Sequence, residues 1–219
     1  MKVFRVQPSK WDYQKFLLKQ GQDLTVRNVA LDGTSRISNW VEPEVYVPNP
    51  LLPVGDFYRF EYNGIAISKA GKEAFAHLYG ADCELLPIRK EDGEEFYVLN
   101  TTTCVDCLDK HRSIEMLMKG MSLGLHRILF EKTCVPSAES RVFVGPETRQ
   151  FHLYTAERDG NPQNEFKAFI EQNGLTGLQF VLIWDSELPD DAQPEWPKLT
   201  VPAPRWKAET IMRPLAERS

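Results

Sequence analysis

The sequence predicts an α+β domain, in which a mixed or antiparallel sheet is packed by a few short helices and followed by a Pro-rich C-terminal tail. Three observations predict it. Short strand-like stretches recur along the chain, one pair of them joined by the turn-forming Asp92-Gly93. Helical patterns are few and brief, and they fall between strands in mixed order rather than in regular alternation. The 219 residues, 42% hydrophobic and 26% charged, supply a real core for one domain of generous size or one domain plus a tail. The chain is expected to divide into an N-terminal segment packed on the main domain (1–54), a core (55–184) and, from the composition change at Asp185, the tail (185–219).

Taken in order, Ser9-Lys10-Trp11-Asp12 has the spacing of a capping box, and Gly21 ends the short helix it predicts. The next stretch, to Pro53, is rich in turn formers. It reads as irregular chain with one or two brief strands, such as Val45 to Val47. Ser68 caps a second helix with Ala70, Ala74, Phe75, Leu78 and Tyr79 on its apolar side, closed by Gly80. Glu84 to Arg89 and Glu94 to Thr101 form the clearest hairpin, with Phe96 and Val98 on one face and Tyr97 and Leu99 on the other. Ile114 to Phe130 is apolar and its period ambiguous: the leading part admits a helix, while Gly120 and Gly124 weaken a continuous one and favour a break before a strand at Leu125 to Phe130. Arg141 to Val144 and His152 to Thr155 read as strands. Asn161-Pro162 opens a third helix with Phe166, Phe169 and Ile170 buried and Asn173-Gly174 as its stop. A strand at Leu178 to Trp184 follows. Six prolines punctuate the tail, which is expected to lie over the domain surface or to remain partly mobile.

Charge and cysteine usage exclude several function classes. A net charge of −5 argues against direct nucleic-acid binding, which calls for a basic face, and suits a basic protein partner. No apolar run approaches the roughly 20 residues that span a bilayer. Met1 to Gln20 lacks the hydrophobic stretch of a signal peptide, so a cytoplasmic location is expected. Cys83, Cys104, Cys107 and Cys134 do not form a secreted disulfide framework.

The most chemical stretch is Cys104-x-x-Cys107-x-x-x-His111, with Asp106, Asp109, Arg112 and Ser113 beside it. Thiolates and imidazole are zinc ligands, but structural zinc sites usually bring two paired motifs and only one is present. A redox Cys-x-x-Cys opens a helix after a strand, and no such unit surrounds this one. Two carboxylates can divide acid and base roles, which makes Asp106, Cys107, Asp109 and His111 the alternative, enzymatic reading. Caps and local ion pairs are far commoner. Thr102 or Thr103 with Asp106 resembles a helix cap, and Asp109 with Arg112 a local pair, so the stretch reads first as a fold-fixing turn. Hydrolase, nucleotide-binding and metalloprotease motifs are missing from the sequence, and His77, His111, His126 and His152 are scattered. No residue is assigned as catalytic, and no metal or cofactor is expected.

Two features suit binding. Glu91, Asp92, Glu94 and Glu95 concentrate negative charge at a hairpin tip. Trp184, Trp196 and Trp206 accompany Asp190 and Asp191 in and beside the tail, in the manner of aromatic anchors rimmed by charge.

The succession Gly55-Asp56-Phe57, Ile65 to Leu78, Glu84-Leu85-Leu86-Pro87-Ile88 and Glu95-Phe96-Tyr97-Val98-Leu99-Asn100 is similar to one bacterial family. It continues through Val105-Asp106-Cys107-Leu108-Asp109 with Ser113, and through Asn173-Gly174-Leu175-Thr176-Gly177-Leu178-Gln179-Phe180. The chain thereby resembles, over about residues 55–184, the polymorphic-toxin immunity family numbered eleven, formerly a domain of unknown function. The family pattern tolerates other residues where Cys104 and Cys107 fall. The resemblance implies an α+β protein that neutralises a cognate toxin by direct contact, without catalysis; Asp106, Leu108, Asp109, Ser113, Gly174, Gly177 and Phe180 are its motif residues. A basic nuclease is the electrostatically natural toxin. A non-catalytic adaptor is the remaining alternative.

Overall fold

The computed structural model describes residues 1–9, 12–19, 21, 33–61, 64–79, 83–118, 121–136, 142–145, 153–194 and 210–217. The first half of the chain forms β1 (Lys2–Pro8), β2 (Lys15–Leu18), β3 (Glu44–Tyr46), β4 (Phe57–Phe60), β5 (Gly64–Ser68), α1 (Lys69–Tyr79), β6 (Cys83–Lys90) and β7 (Glu95–Thr101). The second half forms β8 (Ile114–Met118), β9 (Met121–Arg127), β10 (Leu153–Glu157), α2 (Phe166–Gln172), β11 (Leu178–Asp185) and β12 (Thr210–Pro214). The fold is α+β and mostly strand.

Six strands close into a barrel in the order β2-β3-β6-β7-β5-β4. The pairs β2·β4 and β3·β6 are parallel and the others antiparallel. Phe16 stacks on Tyr58 and on Phe96 with ring centroids 4.7 Å apart in both cases. Phe96 lies on β7, which is not a neighbour of β2, so this contact crosses the barrel interior. Each fully buried aromatic ring of this kind contributes about 2–3 kcal/mol of hydrophobic stabilisation. The expected hairpin is present as β6 and β7, with Gly93 at φ +84 in its turn and Phe96 and Val98 buried.

Beside the barrel, β1 is the centre of an antiparallel sheet ordered β10-β1-β11. Its two faces serve different cores. Val6 and Leu153 join the barrel core together with Phe166, Phe169 and Ile170 of α2. Val3, Tyr154, Ile183 and Trp184 join a second core with Cys107, Leu108, Phe130 and Leu215. A third sheet has the order β12-β8-β9.

Several sequence expectations are corrected. Among the described residues no helix follows Ser9. Its N–H donates to the Gly177 carbonyl at 2.9 Å, and Lys15–Leu18 is a barrel strand instead. Around Ile114 the chain is a hairpin rather than a helix. β8 and β9 pair antiparallel, and β8 gains its other neighbour from residues nearly a hundred positions later. Ser68 does cap α1, accepting the Gly71 N–H at 2.9 Å. Ala70 and Ala74 are nevertheless exposed, and the contact side includes Gly71, where an added Cβ would meet Ile67 at 2.9 Å. Asn161 builds a turn ahead of α2, and Glu165 occupies the N-cap position in extended backbone. Near its end the tail contributes a sheet strand, β12.

Candidate functional site

The polar stretch 104–113 is folded around its own carboxylate. Asp109 accepts the N–H groups of His111 at 3.1 Å and Arg112 at 3.0 Å through one oxygen, and the other oxygen takes the Arg112 Nε. This is the capping geometry that suits aspartate at a turn. The cap is therefore Asp109, not Thr102 or Thr103 with Asp106, because a three-residue turn follows it and no helix does. Burial acts to raise the Asp109 carboxyl, but the Arg112 guanidinium and the two backbone donors outweigh it and hold the group below the usual carboxylate range. Asp106 is exposed and pairs with Lys110 at 3.0 Å.

Around this turn the chain is locked inward. Leu108 and Cys107 are buried in the second core, while Cys104 is exposed; neither cysteine is in a disulfide. Ser113 is fully buried. Its Oγ donates to the Leu129 carbonyl at 3.2 Å and accepts the Leu129 N–H at 3.0 Å. Among the described residues no three His, Cys, Asp or Glu side chains gather as metal ligands would.

A second lock joins two sequence stretches 120 residues apart. Asp56 accepts the N–H of Thr176 at 2.8 Å and its hydroxyl at 2.9 Å, and the Phe57 N–H donates to the Thr176 carbonyl at 3.0 Å. Gly177, at φ +96, lies so close to the Phe57 carbonyl that a Cβ would overlap it. Gly174 has φ +61 in open space beyond α2. Phe180 is half-buried, its ring edge-on to Phe166 at 5.9 Å. Asp109 and Ser113 thus fix one turn and Gly177 sits in the second lock, whereas Asp106 and Gly174 face open space.

Of the binding features, the acidic tip is presented as expected. Glu91, Asp92, Glu94 and Glu95 are all exposed. Their charge is partly offset by Lys90, which pairs with Asp92 at 2.8 Å and Glu94 at 2.9 Å, and by Lys19, 3.5 Å from Glu91 and 2.7 Å from Glu44. Trp184 is a correction. Only 6% of it is exposed, and it packs 5.8 Å from Phe130, because β11 turns this face into the second core. Asp191 is exposed, whereas Asp190 is held by Arg112 at 3.0 Å. Trp196 and Trp206 lie outside the described residues.

None of the family models or curated proteins compared with this chain matches it. The geometry therefore carries the functional reading.

Sequence reasoning missed one polar pair. Glu115, 1% exposed, lies opposite Arg213 across the β8·β12 ladder, with guanidinium contacts of 3.2 and 3.3 Å to its Oε2. The only local signal was an acidic residue set among apolar ones in Ile114-Glu115-Met116, and nothing in the sequence linked it to position 213. Among the described residues no helix is long and apolar enough to cross a membrane.

Proposed function

We propose that this chain is an immunity-type protein of the cytoplasm that binds a cognate toxin and neutralises it by direct contact, without catalysis of its own. The observation that carries this reading is the acidic hairpin tip, four exposed carboxylates at a turn between two strands of a closed barrel. Such a tip steers a basic partner, of which a basic nuclease is the natural example, and speeds encounter more than it adds affinity. The polar loop supports the same reading, since the carboxylate and hydroxyl of Asp109 and Ser113 are engaged in backbone and ion-pair bonds that shape the turn.

The test is co-purification of the chain with the product of the adjacent reading frame, together with rescue of cells expressing that product. A stoichiometric complex with rescue is the expected result. Failure of both with a demonstrably toxic neighbour overturns the reading for that pair. Within a confirmed complex, Glu91→Lys with Asp92→Lys and Glu94→Lys is expected to slow association about tenfold at low salt while leaving stability nearly unchanged. An unchanged association rate places the interface elsewhere.

A further inference from the structure

The chain has five methionines in 219 residues, and four of them, Met116, Met118, Met121 and Met212, fall in the sheet β12-β8-β9. The fifth, Met1, packs against the second core. Register brings the four together. Met212 stands directly opposite Met116 across the β8·β12 ladder, and Met121 directly opposite Met118 across the β8·β9 ladder. Met116 and Met118 alternate on β8 and so share a face, and each residue directly opposite lies on the same face as its partner. The irregularity after Met116 leaves the extra residue, Leu123, on β9, so the alternation of β8 is kept. Glu115 and Leu117 are accordingly buried on the other face, whereas Met116 is half-buried and Met212 is 47% exposed. Gly124, opposite Met116 on β9, brings no side chain to the methionine face.

Positions directly opposite have Cβ atoms about 5 Å apart, and alternate positions on one strand are about 7 Å apart. Methionine, unbranched and with three rotatable bonds, can span such distances to a common point. Packing by itself does not call for it here. Strands favour β-branched and aromatic residues, and isoleucine or leucine would cover the same area with less rotamer freedom to lose. What methionine adds is a soft, polarisable sulfur. Thioether donors suit cuprous ion, whereas oxygen ligands suit calcium, magnesium or manganese, and zinc takes thiolate, imidazole or carboxylate.

We propose that the face carrying Met116, Met118, Met121 and Met212 is a soft-metal site that takes one cuprous ion. The bound ion ties β9 and β12 to β8, strands that come from distant parts of the chain. This site stands apart from the immunity reading, and neither depends on the other.

The probe is silver ion, an air-stable stand-in of the same charge and softness. The full-length chain, labelled with carbon-13 in its methionine methyl groups, is titrated with silver nitrate and followed by NMR. Cys104→Ser with Cys134→Ser first removes the two exposed thiols, which take silver themselves. If that variant does not fold, alkylation of the same two thiols with iodoacetamide replaces it. The methyl signals of Met116, Met118, Met121 and Met212 are expected to shift together and to saturate at one equivalent, with Met1 unmoved. Zinc at the same concentration is expected to move none of them. Met116→Leu with Met212→Leu conserves volume and is expected to weaken silver binding about tenfold or more. The proposal is overturned if fewer than three of the four signals move by the first equivalent, which would leave these methionines an apolar role alone. It is equally overturned if Met1 shifts in step with them, or if the leucine variant binds silver as tightly as its parent.

Discussion

Ser113 and Asp109 carry the turn that joins the second core to Leu215 of the tail, and each makes a separate prediction. Ser113→Ala removes the hydroxyl that serves both the Leu129 N–H and the Leu129 carbonyl, in a fully buried setting. A loss of about 1–3 kcal/mol is expected, read as a lower denaturant midpoint at unchanged slope. Asp109 acts through pH. Its carboxyl sits below the ordinary value of 3.8 in the folded chain, so in the window between the two values the unfolded chain binds more protons. The stabilisation is complete above the ordinary value and is lost as pH falls through the depressed one. Asp109→Asn is therefore expected to flatten the acid limb of stability against pH, measured by thermal melts from neutral pH downward. An acid limb identical to that of the wild type would mean that Arg112 and the turn amides do not hold the carboxyl.

At the scale of the element, the segment between α2 and β11 contains two glycines with positive φ but different surroundings. A methyl carbon added at Gly174 would meet nothing within 4 Å, so Gly174→Ala carries only the conformational cost of a left-handed residue, about 1 kcal/mol. Gly177 adds overlap with the Phe57 backbone at the point where the Asp56–Thr176 lock closes. Gly177→Ala is expected to cost about 3 kcal/mol or more, because the barrel strand and the sheet strand must move apart. Paired thermal melts of the two variants check this, and equal shifts would show that the close approach does not constrain the fold. The hairpin β6·β7 is the contrasting element. Its turn, alternation and length are all local, and it forms as its sequence predicts.

For the whole molecule, the sheet β10-β1-β11 is the mechanical link. Its residues enter the barrel core from one face and the second core from the other, so neither core can loosen without exposing part of this sheet. Heat and denaturant are expected to unfold the chain in one transition, with tryptophan fluorescence and far-ultraviolet circular dichroism coincident. Separate midpoints would show that the two cores melt independently.

Local signals settled much of this protein without any structure. The α+β class, the β6·β7 hairpin, the Ser68 cap, the buried stripe of α2 and the strand after Gly177 all rest on nearest-neighbour chemistry, namely alternation, caps and turn residues. The exposed acidic tip was legible for the same reason, because a turn between two paired strands must face solvent. The structural character of Asp109 and Arg112 was legible too, being a pair three residues apart. Long-range pairing decided the rest. Lys15 to Leu18 became a barrel stave because β3 and β4 lie beside it, overriding a capping pattern that is favourable only if a helix follows. Ile114 to Met118 became a strand because β9 and β12 satisfy its backbone from both sides. Trp184 went inward because the second core needed that face of β11. The Glu115–Arg213 pair joins residues 98 positions apart, and such a match exists only once the tertiary fold has set the register.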